Sequence, residues 1–214
     1  MGVQYRGCSH LYYAIETEAA DGTLSYGTPK VLAPVKSVSR DIADDSASIY
    51  ADNVVQDKIY GAKQVTRSFE TIRISPEVAA ELLGDAVVTI GQGAGAKKAI
   101  ATNPDGSTKP FVAIGYALHD GQIDSPCEIV WTYHCKVNSI SQASNTIDDG
   151  TDSQGQTIEI SNIAPKKAWS TTGKRNLDFD LVIPDDMAAT DVATLVETFF
   201  TQVVTPDNAA TILG

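Results

Sequence analysis

Apolar and polar side chains alternate along most of this chain. In "NLDFDLVIP", Leu177, Phe179, Leu181 and Ile183 fall to one side and Asp178 and Asp180 to the other, the period-two pattern of a strand with one buried face. "CEIVWTYHCKV" follows the same rule. Cys127, Ile129, Trp131, Tyr133, Cys135 and Val137 are expected on one face, and Glu128, Thr132, His134 and Lys136 on the other, with Val130 the exception. Strands are likewise predicted in "HLYYAIET" (10–17), "VKSVSR" (35–40), "VTRSFETIRI" (65–74), "AVVTI" (86–90), "PFVAIGYALH" (110–119) and "TIEISNI" (157–163). Asp-Gly pairs in "ADGT", "NPDGST" and "HDGQ" suit hairpins, which points to antiparallel strands rather than strands alternating with helices.

Two helices interrupt the alternation. "SPEVAAELLG" (75–84) carries its own punctuation: Ser75 as N-cap, Pro76 at the first helical position, Glu77 at the positive end of the dipole and Gly84 for the left-handed position after the last turn. "DDMAATDVATLVETFFTQVV" (185–204) spaces Val192, Leu195, Val196, Phe199, Phe200 and Val203 as an apolar stripe, with Pro184 before it and Pro206 after it. Residues 41–64, five aspartates around a short "ASIYA", read as a long loop, and 141–156, "SQASNTIDDGTDSQGQ", as an exposed polar loop. The expectation is one domain over residues 1–214, mainly β: a β-sandwich or half-barrel of two packed antiparallel sheets, with one short helix and one C-terminal helix.

Composition narrows the function. The 214 residues are 43% hydrophobic, enough for a substantial core. Acidic side chains outnumber basic ones 27 to 16, a formal net charge of −11, which disfavours a tight phosphate-neutralising grip on nucleic acid. Three cysteines, Cys8, Cys127 and Cys135, are an odd number and too few to staple a small secreted fold, so they read as reduced thiols of a protein made in the cytosol. The opening "MGVQYRGCSH" has no apolar run of a signal peptide, and no window is long and apolar enough for a membrane span.

Sites of chemistry are thin. "GQGAG" (91–95) loosely matches a dinucleotide fingerprint, but "NPDG" follows too soon for a crossover helix, so a glycine turn is expected. His119, His134 and Cys135 lack metal-ligand spacing, His134 and Cys135 falling on opposite faces of one strand, and His10 reads as a terminal polar residue. The Asp-Asp pairs at 44–45, 148–149 and 185–186 fit solvated loops and a helix start better than paired catalytic carboxylates. A serine or cysteine nucleophile with a positioned base is not visible, so the chain does not read as an enzyme and no cofactor is expected.

The order of segments resembles the major tail proteins of long non-contractile phage tails, in particular the phi13-type family of tail tube proteins of siphophages. The resemblance is carried by "LYYAIETEAADGTLSYGTPKVLAPVKSV", "IYADN" (49–53), "SPEVAAELLG", "KPFVAIGYALH" (109–119), "EIVWTYHCKV" (128–137), "TIEISNIA" (157–164) and the closing "FFTQVVTP", and covers most of the chain from Leu11 to Pro206. It implies a structural virion protein whose copies form six-fold rings stacked into a hollow tube. A tape measure protein would lie in the lumen, tail terminator and distal tail proteins at the ends, and double-stranded DNA would pass at ejection without tight binding. The short helix would cover apolar surface left by the strands. The long loop, through Tyr50, Ala51, Asp52 and Asn53, would reach between subunits, as would terminal arms at 1–10 and 205–214. Glu128, Glu159, Asp178 and Asp180, on polar faces of strands, are the acidic lumen candidates. Two other readings stay open: a tube protein of a phage-derived particle such as a tailocin or gene transfer agent, and a monomeric β-sandwich binding module. For the latter only Trp131 and Trp169 offer an aromatic platform.

Overall fold

A computed structural model describes residues 5–52, 54–121, 125–142 and 155–214. Most of the polar loop expected at 141–156 lies outside the described residues. The alternating segments become strands: β1 (Gly7–Glu18), β2 (Leu24–Tyr26), β3 (Lys30–Val31), β4 (Val35–Ala51), β5 (Val54–Thr71), β6 (Ala86–Ile90), β7 (Lys97–Ala101), β8 (Val112–His119), β9 (Pro126–Gln142), β10 (Gln156–Asn162) and β11 (Asp178–Val182). Nine of them form one antiparallel sheet in the order β2-β1-β8-β9-β10-β5-β4, with β3 beside β1 and β11 beside β9. The mainly β architecture expected from the alternation is the one adopted. β9 is the spine. β8 runs along one of its edges, while β11 lies opposite Glu128 to Thr132 on the other and β10 opposite Cys135 to Gln142. β4 also comes against β1, so the sheet curls back as a half-barrel.

Both sides of the curl are filled. Inside lie Leu11, Tyr13, Phe69, Ile114, Tyr116, Val130, Val137, Ile158 and Ile160, and the helix α1 (Pro76–Leu83) plugs this interior with Ala80 and Leu82. The helix exists because the curled strands leave an apolar opening that another strand, with open backbone groups, could not seal. Its boundaries follow the sequence signals in part. Pro76 sits at its start and Gly84 takes φ 76°, but the Ser75 hydroxyl makes no capping bond, and it is the Ser75 carbonyl that accepts from the Ala79 N–H at 2.9 Å. Outside, α2 (Ala189–Thr201) lays Val192, Val196, Phe199 and Phe200 over Ile129, Trp131 and Tyr133 of β9. Trp131 donates its indole N–H to the Phe199 carbonyl at 2.9 Å, and the Tyr133 hydroxyl donates to the Val204 carbonyl. Gly115 lets this happen: a Cβ there would stand 2.9–3.0 Å from Phe200 and Trp131. A short helix, α3 (Ala209–Leu213), follows.

Four expectations change. Residues 41–64 are not a loop but the outer half of the β4–β5 hairpin, because the β-branched and aromatic residues among the aspartates pair across it, Ile42 with Val65 and Tyr50 with Val55. The single face expected for β9 is broken at His134, whose φ of 50° inserts an irregularity: Ile129, Trp131 and Tyr133 face α2, while Cys135 and Val137 face the interior. The C-terminal helix begins at Ala189 rather than 185, because Asp185 and Asp186 are spent in a turn closed by the Met187 N–H on the Pro184 carbonyl, 3.1 Å. Gly7 to Ser9, expected in a terminal arm, begin β1 and pair with β8, and His10, with φ 55°, opens the irregularity before Tyr12.

Candidate functional site

The interior is not wholly apolar. Arg67 of β5 sits at the buried parity between Val65 and Phe69 and is 2% exposed. Its guanidinium donates to the Tyr116 hydroxyl (3.3 Å), Thr132 Oγ1 (3.0 Å) and Asn162 Oδ1 (2.8 Å), and pairs with Asp178 at 2.7 Å. These partners come from β8, β9, β10 and β11, so one side chain cross-braces five strands. Arg40 of β4 extends the network, 2.7 Å from Asp178 and 3.2 Å from Asp180. Burial, then the neighbouring Asp178 charge, holds the Asp180 carboxyl above its ordinary range, with Arg40 working against both.

The four acidic residues singled out in the sequence therefore differ. Asp178 and Asp180 belong to this arginine-bridged network. Glu128 accepts a 2.5 Å bond from the Tyr5 hydroxyl, and that bond, with burial, pushes the tyrosine up to about 12. Glu159 is exposed and accepts from Ser139 at 3.2 Å. It does not stand alone. On the side of β4, β5 and β10 away from the core, Ser39 lies opposite Ser68 and Ser68 opposite Glu159; Asp41 is opposite Thr66 and Ser37 opposite Glu70. The result is a sheet face of hydroxyls and carboxylates, legible as the polar half of the same alternation that buries Phe69, Ile158 and Ile160 and packs Val38 against them.

Beyond the body the β4–β5 hairpin continues as a two-stranded arm. Tyr50 (68% exposed), Ala51 and Asp52, with φ 52°, form its tip; Asn53 lies outside the described residues. Ile42, Ile49, Val54, Val55, Ile59 and Tyr60 are exposed along it. They occupy both faces: Ser46 with Tyr60 and Ser48 with Lys58 on one, Ala47 with Ile59 and Ile49 with Asp57 on the other. β6 and β7 form a second, separate ribbon joined by the "GQGAG" turn, and expose Val87, Val88, Ile90 and Ile100. A two-stranded ribbon with apolar residues on both faces gains little stability from itself and a good deal from being covered.

The residues weighed for chemistry have structural partners. His134 Nδ1 is 2.5 Å from Glu16 Oε1, and its ring stacks on Phe111 at 4.0 Å. Burial pushes the Cys135 thiol up to about 12. His10 stacks on Tyr12 and Phe200, and Ser9 Oγ lies 2.6 Å from His10 Nδ1 and 2.7 Å from His119 Nε2, tying β1 to α2 beside a cleft of about 410 Å³. Trp169 packs on Tyr133 and is 8% exposed, so it forms no platform. Among the described residues no group of three or more metal-ligating side chains converges, and no helix is long and apolar enough to cross a membrane.

No family model matches the chain, and no curated protein matches it. Among solved structures it is similar to a chain of the sheath-tube complex of PVC, an extracellular contractile injection system, in the extended state, at 12% identity and TM-score 0.43, covering 82% of this chain and 90% of that one. It is also similar to the tube-terminating cap of the anti-feeding prophage, at 11% identity and TM-score 0.41, covering 86% and 95%.

Proposed function

We propose that this chain is a tail tube protein of the siphophage phi13-type, a virion component that joins copies of itself into six-fold rings stacked as a hollow tube. The observation that carries the reading is the β4–β5 arm: a ribbon with large apolar side chains on both faces, standing clear of its own core, is built to lie between neighbours. Tyr50, Ala51, Asp52 and Asn53 would then be inter-subunit residues. The sheet face of Glu159, Asp41, Glu70 and their hydroxyl neighbours suits the bore. Carboxylates repel phosphates at short range, and hydroxyls keep the wall wet, so a duplex slides instead of sticking. Asp178 and Asp180 spend their charge on Arg40 and Arg67, so the bore role falls to Glu159 with Asp41 and Glu70, and Glu128 stands with Tyr5. A tape measure protein before ejection and DNA during it would occupy this channel, with terminator and distal tail proteins at its ends.

The test is direct. The purified protein is concentrated stepwise and followed by light scattering and negative-stain electron microscopy. Hollow tubes or rings of uniform width are the expected result. A compact monomer at every concentration, even with partner tail proteins added, would overturn the reading in favour of a monomeric binding module.

A further inference from the structure

The arm needs a counterpart, and the described residues offer a surface of matching character. Among the described residues the β6–β7 ribbon is the other place where exposed apolar residues gather on both faces of an isolated hairpin: Val87 lies opposite Ile100 on one face, and Val88 and Ile90 follow on the other. Its charge is opposite to that of the arm. Residues 86–101 contain two lysines and no acid, whereas residues 41–64 contain five aspartates and two lysines. Lys98 is held by Glu77 of α1 at 2.8 Å, but Lys97 is exposed and no carboxylate lies within ion-pair distance of it among the described residues. Among the described residues Asp44 of the arm is exposed and likewise has no cation within that distance, and Asp57 accepts from the N–H of Lys58. The edges of β6 and β7 that face away from each other pair with no other strand among the described residues.

Taken with the proposed self-assembly, on which this rests, we infer that the arm of one copy docks on the β6–β7 ribbon of the next copy. Apolar side chains of each cover those of the other, and Lys97 answers the arm aspartates. Because arm and ribbon are different patches of one chain, the contact is heterologous: each copy donates an arm and receives one, and the chain of contacts closes as a ring or continues as a helix. Burial of a matched apolar surface supplies the attraction, and the opposed charges set which surface the arm selects.

Reciprocal charge reversal tests it. Lys97→Glu alone, and Asp44→Lys with Asp57→Lys alone, are each expected to raise the concentration at which assemblies appear by about tenfold, since a tenfold change corresponds to one unfavourable charge contact of ordinary size. The variant carrying all three changes restores complementarity and is expected to return within about threefold of the parent. All three positions are exposed, so melting of the unassembled protomer serves as the control. As a measurement without mutation, carbodiimide coupling of the assembled parent followed by peptide mass spectrometry is expected to join Lys97 to an arm aspartate, and coupling of the dilute protomer is not. If Lys97→Glu assembles like the parent, or the triple variant stays as impaired as the single reversals, or coupling joins the arm elsewhere, the ribbon is not the acceptor even though self-assembly holds. If the parent never assembles, both the docking and the function fall.

Discussion

At Arg67 a guanidinium is withdrawn from water and kept tolerable only by its partners, so its worth is best judged by what its removal strands. Arg67→Met leaves Asp178 with Arg40 alone and takes a donor from Asn162, Thr132 and Tyr116. A loss of about 3–5 kcal/mol in urea unfolding is expected, and adding Asp178→Asn should recover part of it, because the mostly buried carboxylate, left with one of its two guanidinium partners, is then neutral. Asp207 works at the surface. Burial acts to raise its carboxyl, but the N–H groups of Thr171 and Ser170, at 2.8 and 3.1 Å, outweigh it and hold the group below its ordinary range. A depressed carboxyl stabilises the fold above its unfolded value near 4 and loses that contribution as pH falls through the lower folded value. Asp207→Asn is therefore expected to cost about 0.5–1 kcal/mol at pH 7, discounted for exposure, and the difference from the parent should shrink towards nothing in unfolding measured at strongly acid pH.

Among the elements, α1 depends on how it ends. Gly84 takes φ 76°, and a Cβ there would meet the Thr108 carbonyl oxygen at 2.8 Å, so the helix terminus is pressed against the Gly106–Thr108 turn. Gly84→Ala is expected to destabilise by about 2–3 kcal/mol, strain and clash together, whereas Gly173→Ala, at φ 63° in open space, should cost only about 1 kcal/mol. Paired thermal melts check the contrast. The bulge in β9 shows the limit of reading strands by parity. His134 has the polar character that the alternation predicts, but its left-handed backbone shifts Cys135 and Val137 to the other face, until a second register shift at Asn138 restores the parity, and nothing in "TYHCKV" marks the change. A clearer signal lay in "VTRSF" and "TIEISN", where Arg67 and Asn162 occupy buried parity among apolar neighbours; a polar residue there has to find a partner across the core.

For the whole molecule, stability and assembly should separate. Ile59 and Tyr50 are 56% and 68% exposed, so Ile59→Asp and Tyr50→Asp are expected to change protomer stability by no more than about 0.5 kcal/mol. The same variants should abolish tubes or rings in electron microscopy at concentrations where the parent forms them; intact assembly by both would remove the arm from the interface. What the chain determined locally was the strands of the core, the two longer helices, the turn chemistry, the limits of α1 and the polar face of β4, β5 and β10, because period, propensity and φ preference act over a few residues; the short strands β2, β3 and β7 and the helix α3 carried too little pattern to be read. Tertiary structure decided the rest: that 41–64 stands out as a paired arm, that β9 changes faces at His134, and that Arg67 gathers partners from four other strands to hold Asp178. Those outcomes depend on which strands become neighbours, and a pattern of period two says only that a face will be buried, not what it will be buried against.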